Sequence, residues 1–245
     1  MGYNLQSESE VKQYVQNLGT EYRFGCYSEK KPEVCHLLAD FLEAIKKDYE
    51  KAGKVYKNNC DEYKYAKSCL KYGGYSLIGK GGLKANYHTA YDYYEKGCNL
   101  DEPSACFNQG LLLITQNEQH GLKQDIVKGL HLLEKACSGL NGVACYYLSG
   151  LYITGAKNGH KVGDKSVKEF DVPRNMKKAF QYALEGCNLG NMYSCANVSQ
   201  MYAKGDGTEK NETLAKEYKA KALELQNEHD TTKESQTLKF GVGLD

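Results

Sequence analysis

Ala90-Tyr91-Asp92-Tyr93-Tyr94-Glu95-Lys96-Gly97-Cys98 leads into Asn99-Leu100-Asp101-Glu102-Pro103, and a second cysteine follows at Cys106. Tyr87, Ala90, Tyr91 and Tyr94 fall at i, i+3, i+4 and i+7, which is one face of a helix. The loop with its proline breaks that helix, and the next begins at the second cysteine. Antiparallel helices joined by so short a loop bring the residues beside it within disulfide reach. The stretch therefore reads as helix, bridge, helix.

The same arrangement recurs along the chain. The ten cysteines pair as Cys26 with Cys35, Cys60 with Cys69, Cys98 with Cys106, Cys137 with Cys145 and Cys187 with Cys195. Successive pairs begin 34, 38, 39 and 50 residues apart, the period of a helix–turn–helix repeat. The longest interval holds an insert, roughly 156–171, rich in glycine and charge and expected to be a solvated loop. Four residues after the second cysteine of each pair stand Ala39, Gly73, Gly110, Ser149 and Ser199. Eight before the first stand Ala52, Ala90, Gly129 and Ala179, with Leu18 the exception. Small side chains at fixed offsets predict close helix–helix approach, because glycine inside a helix needs a packing reason. Gly79-Lys80-Gly81-Gly82 and Gly205-Asp206-Gly207 read as inter-helix turns, since neither has the Lys-Ser/Thr of a phosphate loop. Met176, Ala179, Phe180 and Ala183 repeat the helical spacing. The tyrosines, 21 in all, are expected to pack along such faces with their hydroxyls at the rim.

The whole chain is thus predicted to be all-α, a right-handed solenoid of disulfide-clipped helix-turn-helix repeats. Residues 1–30 form an N-terminal cap, with a helix from Ser9 to Leu18 that Gly19 ends. Five repeats follow over 31–226, at about 32–64, 66–102, 104–141, 142–191 and 192–226. A charged helix from Thr213 to Glu228 caps the far end, and 227–245 is a tail expected to fray from Asp230.

Composition narrows the function. A net charge of +1 gives no global basic surface for nucleic acid or membrane. No apolar run reaches the length of a membrane span. Met1-Gly2-Tyr3-Asn4-Leu5 lacks the basic and apolar regions of a cleavable signal, so none is expected. The cysteine spacings differ from zinc knuckles, and Cys-x-x-Cys does not occur, which speaks against metal binding and thioredoxin chemistry. Neither Gly-x-Ser-x-Gly nor His-Glu-x-x-His occurs, so no hydrolytic site is read. His36, His88, His120, His131, His160 and His229 are scattered, with no haem-attachment motif.

Cys195-Ala196-Asn197-Val198-Ser199-Gln200-Met201-Tyr202-Ala203-Lys204-Gly205-Asp206-Gly207, together with the Ala90–Cys98 helix, resembles the Sel1-like repeat, a relative of the tetratricopeptide repeat. Ser76 replaces the usual Tyr in the second repeat, and Gln116 the first turn glycine in the third. Cys26-Tyr27-Ser28-Glu29-Lys30-Lys31-Pro32-Glu33-Val34-Cys35, Ser194–Asn197 and the tail at Thr237-Leu238-Lys239-Phe240-Gly241 resemble a family of five-repeat, cysteine-paired Sel1-like respiratory-chain assembly factors. That resemblance implies a mitochondrial intermembrane-space protein, non-catalytic, imported by the oxidative relay. Its partners would be proteins of the complex IV assembly pathway and copper metallochaperones. The compartment suits the cysteines, because bridges need an oxidising space and no cleavable signal is read. Two alternatives stay open: a haem-binding thiol–disulfide reductase acting on copper metallochaperones, and a secreted cysteine-rich Sel1 module that binds a small ligand.

Overall fold

The structure is a computed structural model that describes residues 7–115 and 121–240, with side chains to residue 231. Gln116 and His120 fall outside these residues, as do Met1-Gly2-Tyr3-Asn4-Leu5 and the side chains of the 237–241 motif. Two compact units are present, Met1–Gln109 with Asn117–Leu122, and Gly110–Gln116 with Lys123–Asp245. The first holds α1 (Glu8–Tyr27), α2 (Pro32–Ala44), α3 (Tyr49–Asp61), α4 (Ala66–Ile78) and α5 (Tyr87–Asn99). The chain passes to the second within α6 (Pro103–Ile114). There follow α7 (Ile126–Ser138), α8 (Gly142–Thr154), α9 (Met176–Asn188), α10 (Met192–Lys204) and α11 (Glu212–Phe240). The described residues include no strand, only one isolated bridge between Ala156 and Val172.

Each repeat is a pair of helices, A then B, and the start of every B helix is built alike. Asp48, Asn86, Asp125, Asn175 and Asn211 each accept a hydrogen bond from the backbone N–H three residues on, at 2.9–3.1 Å. This satisfies one of the N–H groups that a helix start leaves unpaired. Four residues beyond each cap comes a buried small residue: Ala52, Ala90, Gly129, Ala179 and Ala215. The backbones of helices A and B meet at these points. A Cβ on Gly110 would lie 2.9 Å from the Gly129 carbonyl oxygen, and one on Gly129 would lie 2.5 Å from the Ile114 side chain. A Cβ on Gly73 would strike the Tyr94 ring at 2.6 Å. The small residues at fixed offsets from the cysteines are therefore where helices touch.

The turns between A and B explain their glycines. Gly79 and Gly205 end α4 and α10 in the left-handed conformation, φ 70° and 80°. Gly81 and Gly207 follow, also at positive φ, and lie against the first turn of a preceding B helix. A Cβ on Gly81 would be 2.6 Å from the Tyr49 carbonyl oxygen, and one on Gly207 2.0 Å from that of Met176. No other residue fits there.

At the C-terminal ends of α1, α3, α5, α7 and α9 the cysteines meet. The sulfurs of Cys26 and Cys35 are 2.10 Å apart, and those of Cys60 and Cys69 are 2.07 Å apart. The distance is 2.00 Å between Cys98 and Cys106, 2.09 Å between Cys137 and Cys145, and 2.07 Å between Cys187 and Cys195. All five are disulfide distances, with Cα atoms 4.5–4.9 Å apart. The connecting loop turns through one left-handed residue, always five positions before the second cysteine: Lys30, Lys64, Asp101, Leu140 or Gly190.

Three expectations are corrected. Helix α1 does not stop at Leu18 but runs to Tyr27, because Gly19 is buried in mid-helix, where a Cβ would lie 2.8 Å from the Phe41 ring. Glycine here serves packing, not termination. Helix α11, expected from Thr213 to Glu228, spans Glu212–Phe240, and residues 229–240 hold no Gly or Pro to stop it. The insert is mostly exposed, as expected, but its base is not a free loop. Ala156 and Val172 exchange two backbone hydrogen bonds of 3.0 Å and are 2% and 3% exposed. Asn158 Oδ1 then accepts from the Ile126 N–H at 2.9 Å, tying the insert to α7.

Candidate functional site

The cysteines are the first chemistry to place. Cys69, Cys106, Cys145, Cys187 and Cys195 are fully buried, and Cys35, Cys60, Cys98 and Cys137 are nearly so. Four of the five pairs are therefore closed to an incoming thiolate. The fifth, Cys26 with Cys35, differs in lining a small cleft of about 260 Å³ with Lys51, Lys54 and Asn59. The residues just before paired cysteines touch: Gly25 meets Val34, and Asn59 bonds Ser68. A Cβ on Gly97 would lie 2.7 Å from Ala105 Cβ, and one on Gly186 would lie 2.3 Å from Ser194 Oγ. These close contacts lie beside the bridge, which holds the helices together.

In the first unit a polar network joins α2, α3 and α4. Asn59 Nδ2 donates to the Pro32 carbonyl at 2.9 Å and to Ser68 Oγ at 2.8 Å. Ser68 Oγ lies 2.9 Å from His36 Nδ1 and can donate to it. With Ser68 as the donor, the ring proton of neutral His36 sits on Nε2, which faces Asp40 at 3.6 Å. Burial lowers the His36 pKa; Asp40 opposes this, while Lys71 and Lys67 add to it. Beyond Asp40 lies the fully buried Tyr56, whose hydroxyl reaches Asp40 at 2.5 Å and Glu43 at 3.0 Å. Burial and two carboxylates push the Tyr56 pKa far above the ordinary tyrosine value. It is a fixed hydrogen-bond donor, not an acid, base or nucleophile. Burial works against ionised Glu43, but Lys80, Lys71 and Tyr56 outweigh it and hold its pKa low. The network ties three helices together.

Other tyrosine hydroxyls also reach carboxylates. Tyr93 donates to Asp61 at 2.7 Å, beside Lys96 and Lys57, and burial with that bond lifts its pKa to about 12. Tyr152 and Tyr182 stack with centroids 5.7 Å apart and converge on Glu134 at 3.3 and 3.2 Å. The tyrosines pack as expected, with the addition that their hydroxyls join one helix to the next.

The described histidines lie on separate elements: His36 on α2, His88 on α5, His131 on α7, His160 in the insert and His229 on α11. His131, His160 and His229 face Glu134, Asp164 and Asp230 respectively. Among the described residues no group of three or more His, Cys, Asp or Glu is arranged to hold a metal ion.

Fold and bridges together define a class: helix-pair repeat proteins whose repeats are clipped by cysteine pairs. The Sel1 repeat family model matches residues 66–102, 103–139, 142–191 and 193–227. A cytochrome c oxidase assembly factor 7 homolog of Drosophila melanogaster is 52% identical over 100% of this chain and 99% of its own. Cytochrome c oxidase assembly factor 7 of Homo sapiens is 34% identical, over 97% and 98%. A crystal structure of a Sel1 repeat protein from Oxalobacter formigenes shares the fold at a TM-score of 0.68 and 19% identity, covering 88% of this chain and 83% of that one. This chain belongs to the Sel1 repeat family and, within it, to the cytochrome c oxidase assembly factor 7 group.

Sequence reasoning missed two regularities of the site. The capping Asp or Asn stands twelve residues before the first cysteine in four repeats, and the left-handed residue five before the second in all five. The caps were visible as Asp48, Asn86, Asp125 and Asn175 and needed only alignment on the cysteines. The left-handed positions carry Lys, Asp, Leu and Gly, so residue type does not mark them.

Proposed function

We propose that this chain assists the assembly of cytochrome c oxidase, respiratory-chain complex IV, in the mitochondrial intermembrane space. It acts there as a non-catalytic protein-interaction scaffold of five repeats. Bridges stabilise it, joining Cys26 to Cys35, Cys60 to Cys69, Cys98 to Cys106, Cys137 to Cys145 and Cys187 to Cys195. The observation that carries this reading is similarity running the full length of relatives named for cytochrome c oxidase assembly. Support for a scaffold comes from chemistry. The cysteines are buried in pairs, and the best-connected polar groups are locked in helix contacts. No described helix is long and apolar enough to cross a membrane. Partners are therefore proteins of the assembly pathway, including copper metallochaperones, met after import through the oxidative relay. Removing the chain from cells is expected to lower assembled complex IV on native gels, and re-expression to restore it. Normal complex IV without the chain would refute the assembly role.

A second reading, thiol–disulfide exchange with a metallochaperone, is favoured by one feature, the cleft beside Cys26 and Cys35. A chain carrying both Cys26→Ser and Cys35→Ser separates the two. Full restoration of complex IV supports the scaffold, and loss of rescue by a folded variant supports exchange.

A further inference from the structure

Gly150 sits in the middle of α8, where a Cβ would meet nothing within 4 Å. Gly73, Gly110 and Gly129 are excused by close helix contacts; Gly150 is not, although glycine is a poor helix former. It floors a cleft of about 510 Å³ in the second unit. Leu111, Ile114, Leu151 and Val162 line it, so α6, α8 and the insert all contribute. Tyr146 and Tyr147 form one wall with centroids 5.7 Å apart. Tyr193, 56% exposed, carries the aromatic surface on past the cleft, with its ring 5.7 Å from Tyr146. The surface is longer than a compact ligand needs and suits a length of polypeptide.

Charge narrows the occupant. Residues 110–115, α8 and α10 contain no Asp or Glu. This is not general to helices A, since α2 carries Glu33, Asp40 and Glu43. Among the described residues that line the cleft, the one cation is Lys161, supplied by the insert, exposed and without a described ion pair. The lining residues described include no carboxylate, and the nearby Asp164 of the insert is engaged by His160, so the Lys161 ammonium favours a carboxylate in the occupant. We propose that this cleft docks a partner-protein segment made of apolar side chains flanked by a carboxylate. The proposal rests on the scaffold reading and gives it a location.

The test is panning a random twelve-residue peptide library on the intact oxidised protein. Gly150→Leu fills the cleft from its floor, and it keeps the fold because the space is open and leucine favours a helix. Lys161→Glu reverses the charge on an exposed loop. The protein is expected to enrich apolar peptides that carry Asp, Glu or a free C-terminus. Gly150→Leu should retain these at least about tenfold less well, and Lys161→Glu should weaken acidic peptides more than their amidated counterparts. Enrichment unchanged by Gly150→Leu, no enrichment at all, or a preference for basic peptides would overturn the proposal. Normal complex IV without the chain would remove the assembly role, while the panning would still decide the cleft. Full rescue of complex IV by Gly150→Leu would exclude the cleft from that role and leave the scaffold standing.

Discussion

Leu140 shows how much single residues give up to the bridge geometry. It is 71% exposed and sits at φ 69°, in the left-handed region that favours glycine. Gly190 fills the same position in the next repeat without strain. Leu140→Gly is therefore expected to raise stability by up to about 1 kcal/mol, read as a higher melting temperature. Gly207→Ala should act the other way, because φ is 73° and the new methyl would lie 2.0 Å from the Met176 carbonyl oxygen. A loss of about 2 kcal/mol is expected in denaturant titration. His36 gives a pH signature. Its folded pKa lies below the ordinary 6.5, so between the two values the unfolded chain holds more protons. The stabilisation is complete above 6.5 and is lost as pH falls through the lowered value. Melting curves should show a smaller stability loss between about pH 7 and pH 5 in His36→Gln than in the wild type.

At the scale of elements, the B helices α3, α5, α7 and α9 are each fixed at both ends, by an Asx cap at the start and a bridge at the finish. Asn175→Ala should cost about 1 kcal/mol by leaving the Lys178 N–H unpaired. Replacing both Cys98 and Cys106 by alanine should cost about 2.5 kcal/mol, the entropy of closing so short a loop, without loss of helix content by circular dichroism. The helical faces, the glycine turns and the small-residue register were legible in the sequence because each has a local, periodic cause. What escaped had a non-local one. Gly19 reads as a helix end in isolation and becomes a packing glycine only when Phe41 is placed against it. The base of the insert reads as loop until Val172 pairs with Ala156. The tyrosine–carboxylate bonds join residues such as Tyr93 and Asp61, 32 positions apart, which no window along the chain connects. The cleft around Gly150 escaped for the same reason, as its wall at Val162 comes from the insert.

For the whole molecule, the account makes the cysteines architectural. Their burial, their place beside close helix contacts and the left-handed turn between them all fit one purpose, holding consecutive helices in register. On the proposed scaffold reading, such a chain presents surfaces to partners and its thiols stay bridged. The claim is tested most directly by trapping thiols in intact mitochondria and mapping the captured chain under non-reducing conditions. The account predicts five bridged peptide pairs: Cys26 with Cys35, Cys60 with Cys69, Cys98 with Cys106, Cys137 with Cys145 and Cys187 with Cys195. None of the ten cysteines should be alkylated. A substantial alkylated fraction at any pair, or bridges joining cysteines from different pairs, would contradict it.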